Sequence, residues 1–196
     1  MIALFVSTFV KFFFLLTPFF VLSTFLAMTT NYSPRRRTAL AIQVTVAVLI
    51  VSAVILAIGN FVFQVFGITL DAFRIGTGVL LMLTAIQMVN GGEPDSAEGA
   101  DNLAVVPLAI PVTVGPATTG ALLVMGGDTH SPAELVTVVA ALTLAILLVG
   151  AILLSGAVVE RIVKKRGLTI LSKITGLILA ALAAQLVMLG VKAFLA

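Results

Sequence analysis

Residues 103–120 read LAVVPLAIPVTVGPATTG, apolar enough to enter a bilayer yet interrupted by Pro107, Pro111, Gly115 and Pro116. A proline inside a helix removes one backbone donor and collides with the carbonyl four residues back. Leu103, Pro107 and Val112 are therefore each expected to carry a carbonyl without its usual helical partner. Hydrocarbon holds no water to satisfy such groups, so irregular backbone at that depth must be buried in protein or line a polar cavity. The stretch reads as a broken membrane helix at a transport site.

The rest of the chain agrees with a lipid solvent. Of its 196 residues, 61% are hydrophobic and only 10% charged, and the mean hydropathy is +1.26. Soluble domains carry about 25% charged residues, whereas residues 38–65 contain none. The class is an all-α integral membrane protein. With no cysteine, disulfide, thiol and cysteine–zinc chemistry are absent. The opening MIALFVSTFVKFFFLL has no basic region before its apolar run and no small-residue cleavage site after it. It reads as the first membrane segment and not as a removable signal peptide.

Six apolar segments, near 2–29, 38–66, 73–90, 103–125, 135–159 and 169–195, each approach the ~20 residues a spanning helix needs. They form one membrane domain: a first repeat over 1–90, an acidic linker over 91–102 and a second repeat over 103–196. The linker's four carboxylates, Glu93, Asp95, Glu98 and Asp101, read as solvation, since nothing fixes their geometry. The halves repeat at an offset of 98: Ser33-Pro34 matches Ser131-Pro132, Thr77-Gly78 matches Thr175-Gly176, and Gln87 matches Gln185. In the first segment an offset of 93 aligns Pro18 with Pro111 and Ser23 with Pro116. Three spans per half make the second half inverted relative to the first. Inverted repeats with helices broken at corresponding positions, here helices one and four, are a transporter signature.

Lys and Arg set the orientation. Arg35, Arg36 and Arg37 are expected in the first loop, and Arg161, Lys164, Lys165 and Arg166 in the fifth, with only Arg74 and Lys192 at the opposite side. Positive residues mark the cytoplasmic side, so both termini are expected outside. These basic clusters are explained by topology and anionic headgroups; nucleic acid is not an expected partner.

No Asp, Glu or His lies well inside a span, and His130 is in a loop. Acid–base, metal or nucleophilic catalysis needs such groups to converge, so the chain reads as neither an enzyme nor a cofactor or metal protein. Lys11, the one charge within the first segment, is read as snorkelling outward. What remains is backbone and hydroxyl chemistry. If Pro116 starts a half-helix, the amides of Ala117, Thr118 and Thr119 are left free at the positive end of a dipole. Ser23, Thr24 and Phe25 are expected to do the same in the first half. Gly115 is expected to permit unusual dihedrals at the break. Carbonyls near Pro111 and Thr113 form the opposite pole, so one break offers both poles that a zwitterion needs. Thr17, Pro18, Ser23, Thr24, Pro111, Thr113, Gly115, Pro116, Thr118 and Thr119 are thus the candidate substrate-binding residues. Gln87 and Gln185 join them, with interhelical packing and substrate contact both open. Prolines that merely kink packed helices are the plainer alternative.

At these residues the chain resembles the MarC family of six-helix bacterial inner-membrane proteins. That family's fourth-helix Pro-x-x-x-Gly-Pro motif is intact as Pro111-Val-Thr-Val-Gly115-Pro116. Its first-helix Asn/Asp-Pro-x-Gly-x-x-Pro motif is degraded: Thr17 replaces Asn/Asp, Pro18 is kept, Phe20 replaces Gly, and Ser23 replaces the second Pro. The resemblance implies a multi-pass protein of a bacterial or archaeal inner membrane that carries small neutral amino acids such as alanine and glycine, with export one direction. Two alternatives stand beside it: an exporter of another small solute, as in the LysE-like group, and a non-transporting scaffold.

Overall fold

The computed structural model describes residues 1–91, 113–129 and 131–195. Seven α-helices follow one another: α1 (Ile2–Leu15), α2 (Pro18–Met28), α3 (Pro34–Phe66), α4 (Leu70–Asn90), α5 (Pro116–Asp128), α6 (Pro132–Leu154) and α7 (Gly156–Phe194). No strand occurs among the described residues. Local chemistry explains most of the boundaries. The side chains of Ser33, Thr69 and Ser131 cap α3, α4 and α6, accepting from the amides of Arg36, Ala72 and Glu134 at 3.4, 3.2 and 3.2 Å. Such caps satisfy donors that a helix start leaves free. Pro34 and Pro132 follow their caps directly, where a missing N–H costs nothing. Gly67 and Gly91 end α3 and α4 in the left-handed conformation, at φ 61 and 78, which a residue without Cβ adopts freely.

Five helical stretches among the described residues are long and apolar enough to cross a membrane: Ile2–Met28, Pro34–Gly59, Leu70–Asn90, Pro132–Leu154 and Arg166–Phe194. Only the end of the expected fourth segment is described, as α5; Pro107 and Pro111 lie outside the described residues. The outer faces are apolar too. On α3, Ile42, Val46, Ile50, Val54 and Ile58 are all exposed at four-residue spacing. A continuous apolar ridge of this kind is unfavourable against water and neutral against lipid.

The basic residues expected in two loops lie in helices. Arg35, Arg36 and Arg37 lie in the first turn of α3, because Ser33 caps the helix ahead of them. Arg161, Lys164 and Arg166 lie within α7, whose helical run is interrupted at Lys164, with φ 59 and ψ 165.

The inner packing is made by helices crossing at small residues. A Cβ built on Gly78 of α4 would lie 2.9 Å from the Ala183 carbonyl of α7, and one on Gly176 of α7 would lie 3.1 Å from the Ala85 carbonyl of α4. As the numbering rises along α4 the contact on α7 falls, so the two helices are antiparallel. Gly59 of α3 and Gly126 of α5 meet in a similar way, with a Gly59 Cβ only 2.7 Å from the Leu123 carbonyl. Small residues let membrane helices approach this closely. Phe12, Leu16, Leu22, Phe25, Leu81 and Leu122 fill the interior.

Element starts correct the alignment of the first segment. Helix α2 begins at Pro18 and α5 at Pro116, 98 residues on, and α3 and α6 begin at Pro34 and Pro132 with the same spacing. The offset of 93 is therefore wrong. Matching Pro18 to Pro111 paired two prolines by motif, whereas the structural counterpart is the proline that occupies the first helical position.

Candidate functional site

The first membrane segment is broken where Thr17 precedes Pro18. Leu16 ends the first piece with its amide on Phe12 O at 2.9 Å, and the Thr17 amide turns back to Phe14 O at 2.9 Å. Thr17 itself is left-handed, at φ 47 and ψ 56, and only 5% exposed. Pro18 has no donor and opens α2. The first ordinary bond of the new helix runs from the Val21 amide to Thr17 O at 3.0 Å. The free amides at this helix start are therefore those of Phe19 and Phe20. The expected pole at Ser23, Thr24 and Phe25 is misplaced, because all three lie inside α2. Ser23 is exposed, and the Thr24 hydroxyl donates to Phe20 O at 3.1 Å in its own helix.

The second break is built differently. Gly115 caps α5 in extended backbone, at φ −80 and ψ 179, and Pro116 occupies the first turn. Any residue adopts those angles, so the expectation of unusual dihedrals at Gly115 is overturned. The Thr119 amide donates to Gly115 O at 2.9 Å, which removes Thr119 from the expected free donors and leaves Ala117 and Thr118. Thr113, Ala117 and Thr118 are buried, Gly115 and Thr119 half-buried, and Pro116 exposed.

One hydrogen bond joins the two breaks. The Thr118 hydroxyl donates to Leu15 O at 3.0 Å, across 103 residues of sequence. In an uninterrupted helix that carbonyl accepts from the residue four positions on, here Phe19. Freed by the break at Thr17, it is satisfied by the opposite half.

Beside this bond lies a cavity of about 140 Å³ between α1, α4, α5 and α7. Leu15, Leu81 and Ala121 line it near the breaks, and Lys11, Arg74, Asp128 and Gln185 add polar groups. Arg74 donates to Asp71 Oδ1 at 2.6 Å and also pairs with Asp128 at the end of α5. The sequence reading missed this group. Arg74 and Asp128 stand 54 residues apart and each resembles an isolated charge at a segment end. Lys11 is exposed and also borders the cavity. Both glutamines are exposed, and they part company only in that Gln185 lines the cavity and Gln87 does not. Among the described residues no cluster of His, Cys, Asp and Glu is arranged to hold a metal.

Helices of this length and lipid-facing apolar surface define a multi-pass integral membrane protein with an interrupted helix at its centre. The profile of the MarC family integral membrane proteins matches residues 2–195, and the chain belongs to that family. A UPF0056 membrane protein of the archaeon Methanocaldococcus jannaschii is 30% identical over 96% of both chains. The UPF0056 membrane protein YhcE of Escherichia coli is 28% identical, over 94% of this chain and 90% of its own. One from Aquifex aeolicus is 28% identical over 96% of this chain and 92% of its own. No solved structure matches.

Proposed function

We propose that this chain is a secondary transporter of small neutral zwitterions such as alanine and glycine, working by alternating access around the two breaks. The observation that carries the reading is the bond from Thr118 to Leu15. A carbonyl released by one break meets the hydroxyl beside the other, so two irregular stretches of backbone share one interior place. Packed scaffold helices gain nothing from exposing backbone at that depth. The antiparallel seam of α4 and α7 supports a further element of the proposal, six spans in two inverted three-helix halves.

In this mechanism the substrate carboxylate is received at the amides of Ala117 and Thr118, where the α5 dipole is positive. Those of Phe19 and Phe20 form a second pole. The ammonium is assigned to carbonyls within residues 107–112, which lie outside the described residues. Thr17 and Thr113 add hydroxyl groups, and one half rocks against the other to open the site to each side in turn.

Proteoliposome uptake tests the reading. Wild-type protein is expected to give saturable uptake of alanine and glycine. The double substitution Thr17→Ala with Pro18→Ala, which lets α1 run on into α2, is expected to abolish it at equal folded yield. Equal transport by both removes the first break from the mechanism, and no uptake of any amino acid by wild type favours the scaffold or another solute. The orientation, with both termini outside, is tested on the cysteine-free chain by single cysteines at the exposed positions Asn31 and Ile68. An impermeant maleimide should label position 68 in intact cells and spare 31; the reverse pattern inverts the topology.

A further inference from the structure

The arginines at the start of α3 share a corner of the bundle with the junction of α6 and α7. A cavity of about 390 Å³ lies between them, bordered by Tyr32, Arg37 and Thr38 from one side and Leu153, Leu154 and Ala157 from the other. A single buried water needs only about 10–15 Å³, so the space suits a larger group. Its depth follows from the membrane-length stretches: Ile2–Met28 and Pro132–Leu154 stop at this corner and Pro34–Gly59 starts there. The cavity therefore sits where hydrocarbon gives way to headgroups. Arg37 is half-buried in it. Its Nη2 donates to Thr29 O at 2.9 Å, but no carboxylate pairs with the guanidinium among the described residues, and its buried Nε has no acceptor. An unpaired buried donor in a native protein calls for a further acceptor. Arg36 stands over the Tyr32 ring at 4.0 Å, and Arg161 is exposed four residues past Ala157, so more positive charge flanks the corner. At the structural offset of 98, the counterparts of Arg36, Arg37 and Thr38 are Glu134, Leu135 and Val136. The other half builds the same corner without these cations, so Arg37 is no requirement of the repeat.

We propose that this corner is a binding site for the phosphate of an anionic phospholipid. Arg37 takes two phosphate oxygens in the forked geometry that a guanidinium offers, and the hydroxyls of Tyr32 and Thr38 donate to the remaining ones. Leu153 and the exposed Leu154 receive the glycerol end and the first acyl carbons. Depth and charge select this occupant. Basic pockets between membrane helices at headgroup level suit anionic lipids. A free anion has no use for the leucine side, and a zwitterionic lipid brings its own cation to a corner that is already positive. With its phosphate on α3 and its chain against α6, one lipid ties the first repeat to the second at this end of the bundle. The inference stands apart from the transport reading and is untouched by its failure.

The test is native mass spectrometry of full-length protein, delipidated in neutral detergent and titrated with phosphatidylglycerol or phosphatidylcholine. One saturable phosphatidylglycerol adduct is expected, held more tightly than any phosphatidylcholine adduct. Arg37→Gln should weaken it about tenfold, equivalent to ~1.4 kcal/mol, and Arg37→Lys less. Arg35→Gln, at an exposed side chain that does not border the cavity, should leave it unchanged. Arg37→Gln also loses the bond to Thr29 O, so circular dichroism melts without lipid keep a folding defect apart from a binding defect. Ala157→Phe removes no charge and fills the space from its exposed rim; it should weaken the adduct as Arg37→Gln does, and it carries the test if that variant fails to fold. Wild-type affinity in Ala157→Phe overturns the site. Equal losses in Arg35→Gln and Arg37→Gln reveal diffuse surface charge and overturn it too, as does equal retention of the two lipids. Displacement of the lipid by excess inorganic phosphate would assign the corner to a free anion and overturn the lipid as its occupant.

Discussion

Helices α2 and α5 both begin with a proline, yet the residues preceding the two prolines do opposite things. Thr17 is left-handed at φ 47, a conformation that costs an ordinary L-residue roughly 1–2 kcal/mol and is rarer still for a β-branched one. Gly115, free to adopt such angles, sits in plain extended backbone. The threonine is where a glycine would relax, and the glycine is where none is needed. The first break is therefore held by the packing that buries Thr17, while the Thr17 amide on Phe14 O and the Thr17 carbonyl, accepting from the Val21 amide, close the turn locally. The second is written locally, by Pro116 and the start of α5. Strain maintained by packing is a common property of functional backbone. Here it marks the first break as the one that needs its neighbours.

The largest expected effect tests whether α5 needs neighbours as well. Gly126 faces the backbone carbonyl of Leu56 so closely that a Cβ there has no room, and backbone cannot swing aside as a side chain can. Gly126→Ala should cost about 3 kcal/mol, at the upper end for overpacking, and lower the thermal midpoint. With no tryptophan and one tyrosine, circular dichroism is the suitable probe. A melt like that of wild type would mean that α5 is not seated on α3.

The next effect concerns the bond between the breaks. Thr118→Ala leaves the buried Leu15 carbonyl without its partner, a loss of roughly 1–3 kcal/mol. Thr118→Ser should recover most of that stability and Thr118→Val little. Serine and valine behaving alike would show that the contact is packing and not a hydrogen bond. The smallest effects bear on the breaks directly. Thr17→Asn should stabilise by about 1 kcal/mol, since asparagine tolerates the left-handed region, and Gly115→Ala should shift stability by less than about 0.5 kcal/mol. Comparable shifts at the two positions would erase the distinction between them.

Much of this architecture was legible because its causes are local. Residues 38–65 carry no charge, and a run like that has only one solvent. Ser33-Pro34 and Ser131-Pro132 are cap and first-turn pairs that act wherever they occur, and both start helices in the structure. Pro116 likewise opened a helix as expected. The amides were harder to read. Which donors are free depends on which residue is the cap, and an error of one position moved Thr119 into the helix ladder. An error of five displaced the pole of α2 from Phe19 and Phe20 to Ser23–Phe25. The charged group lining the cavity was illegible for another reason. Arg74 and Asp128 lie on different helices, and no spacing rule links residues whose proximity is created by tertiary packing.

The glycine seam between α4 and α7 has a mechanical consequence. Gly78 rests on Ala183 and Val187, and Gly176 on Ala85, Met88 and Val89, so each half offers the other the same notch and receives the same ridge. Points on a rotation axis move least when two bodies exchange positions about it. In the proposed cycle this seam is the fulcrum, and α2 and α5, carried on either side of it, are the lever arms. A fulcrum works only while its faces stay in contact. Glycine against backbone, with no long side chain to bend between them, gives a bearing with little play, and in the proposed cycle a small turn at Gly78 and Gly176 would become a larger displacement at Thr17 and Thr118.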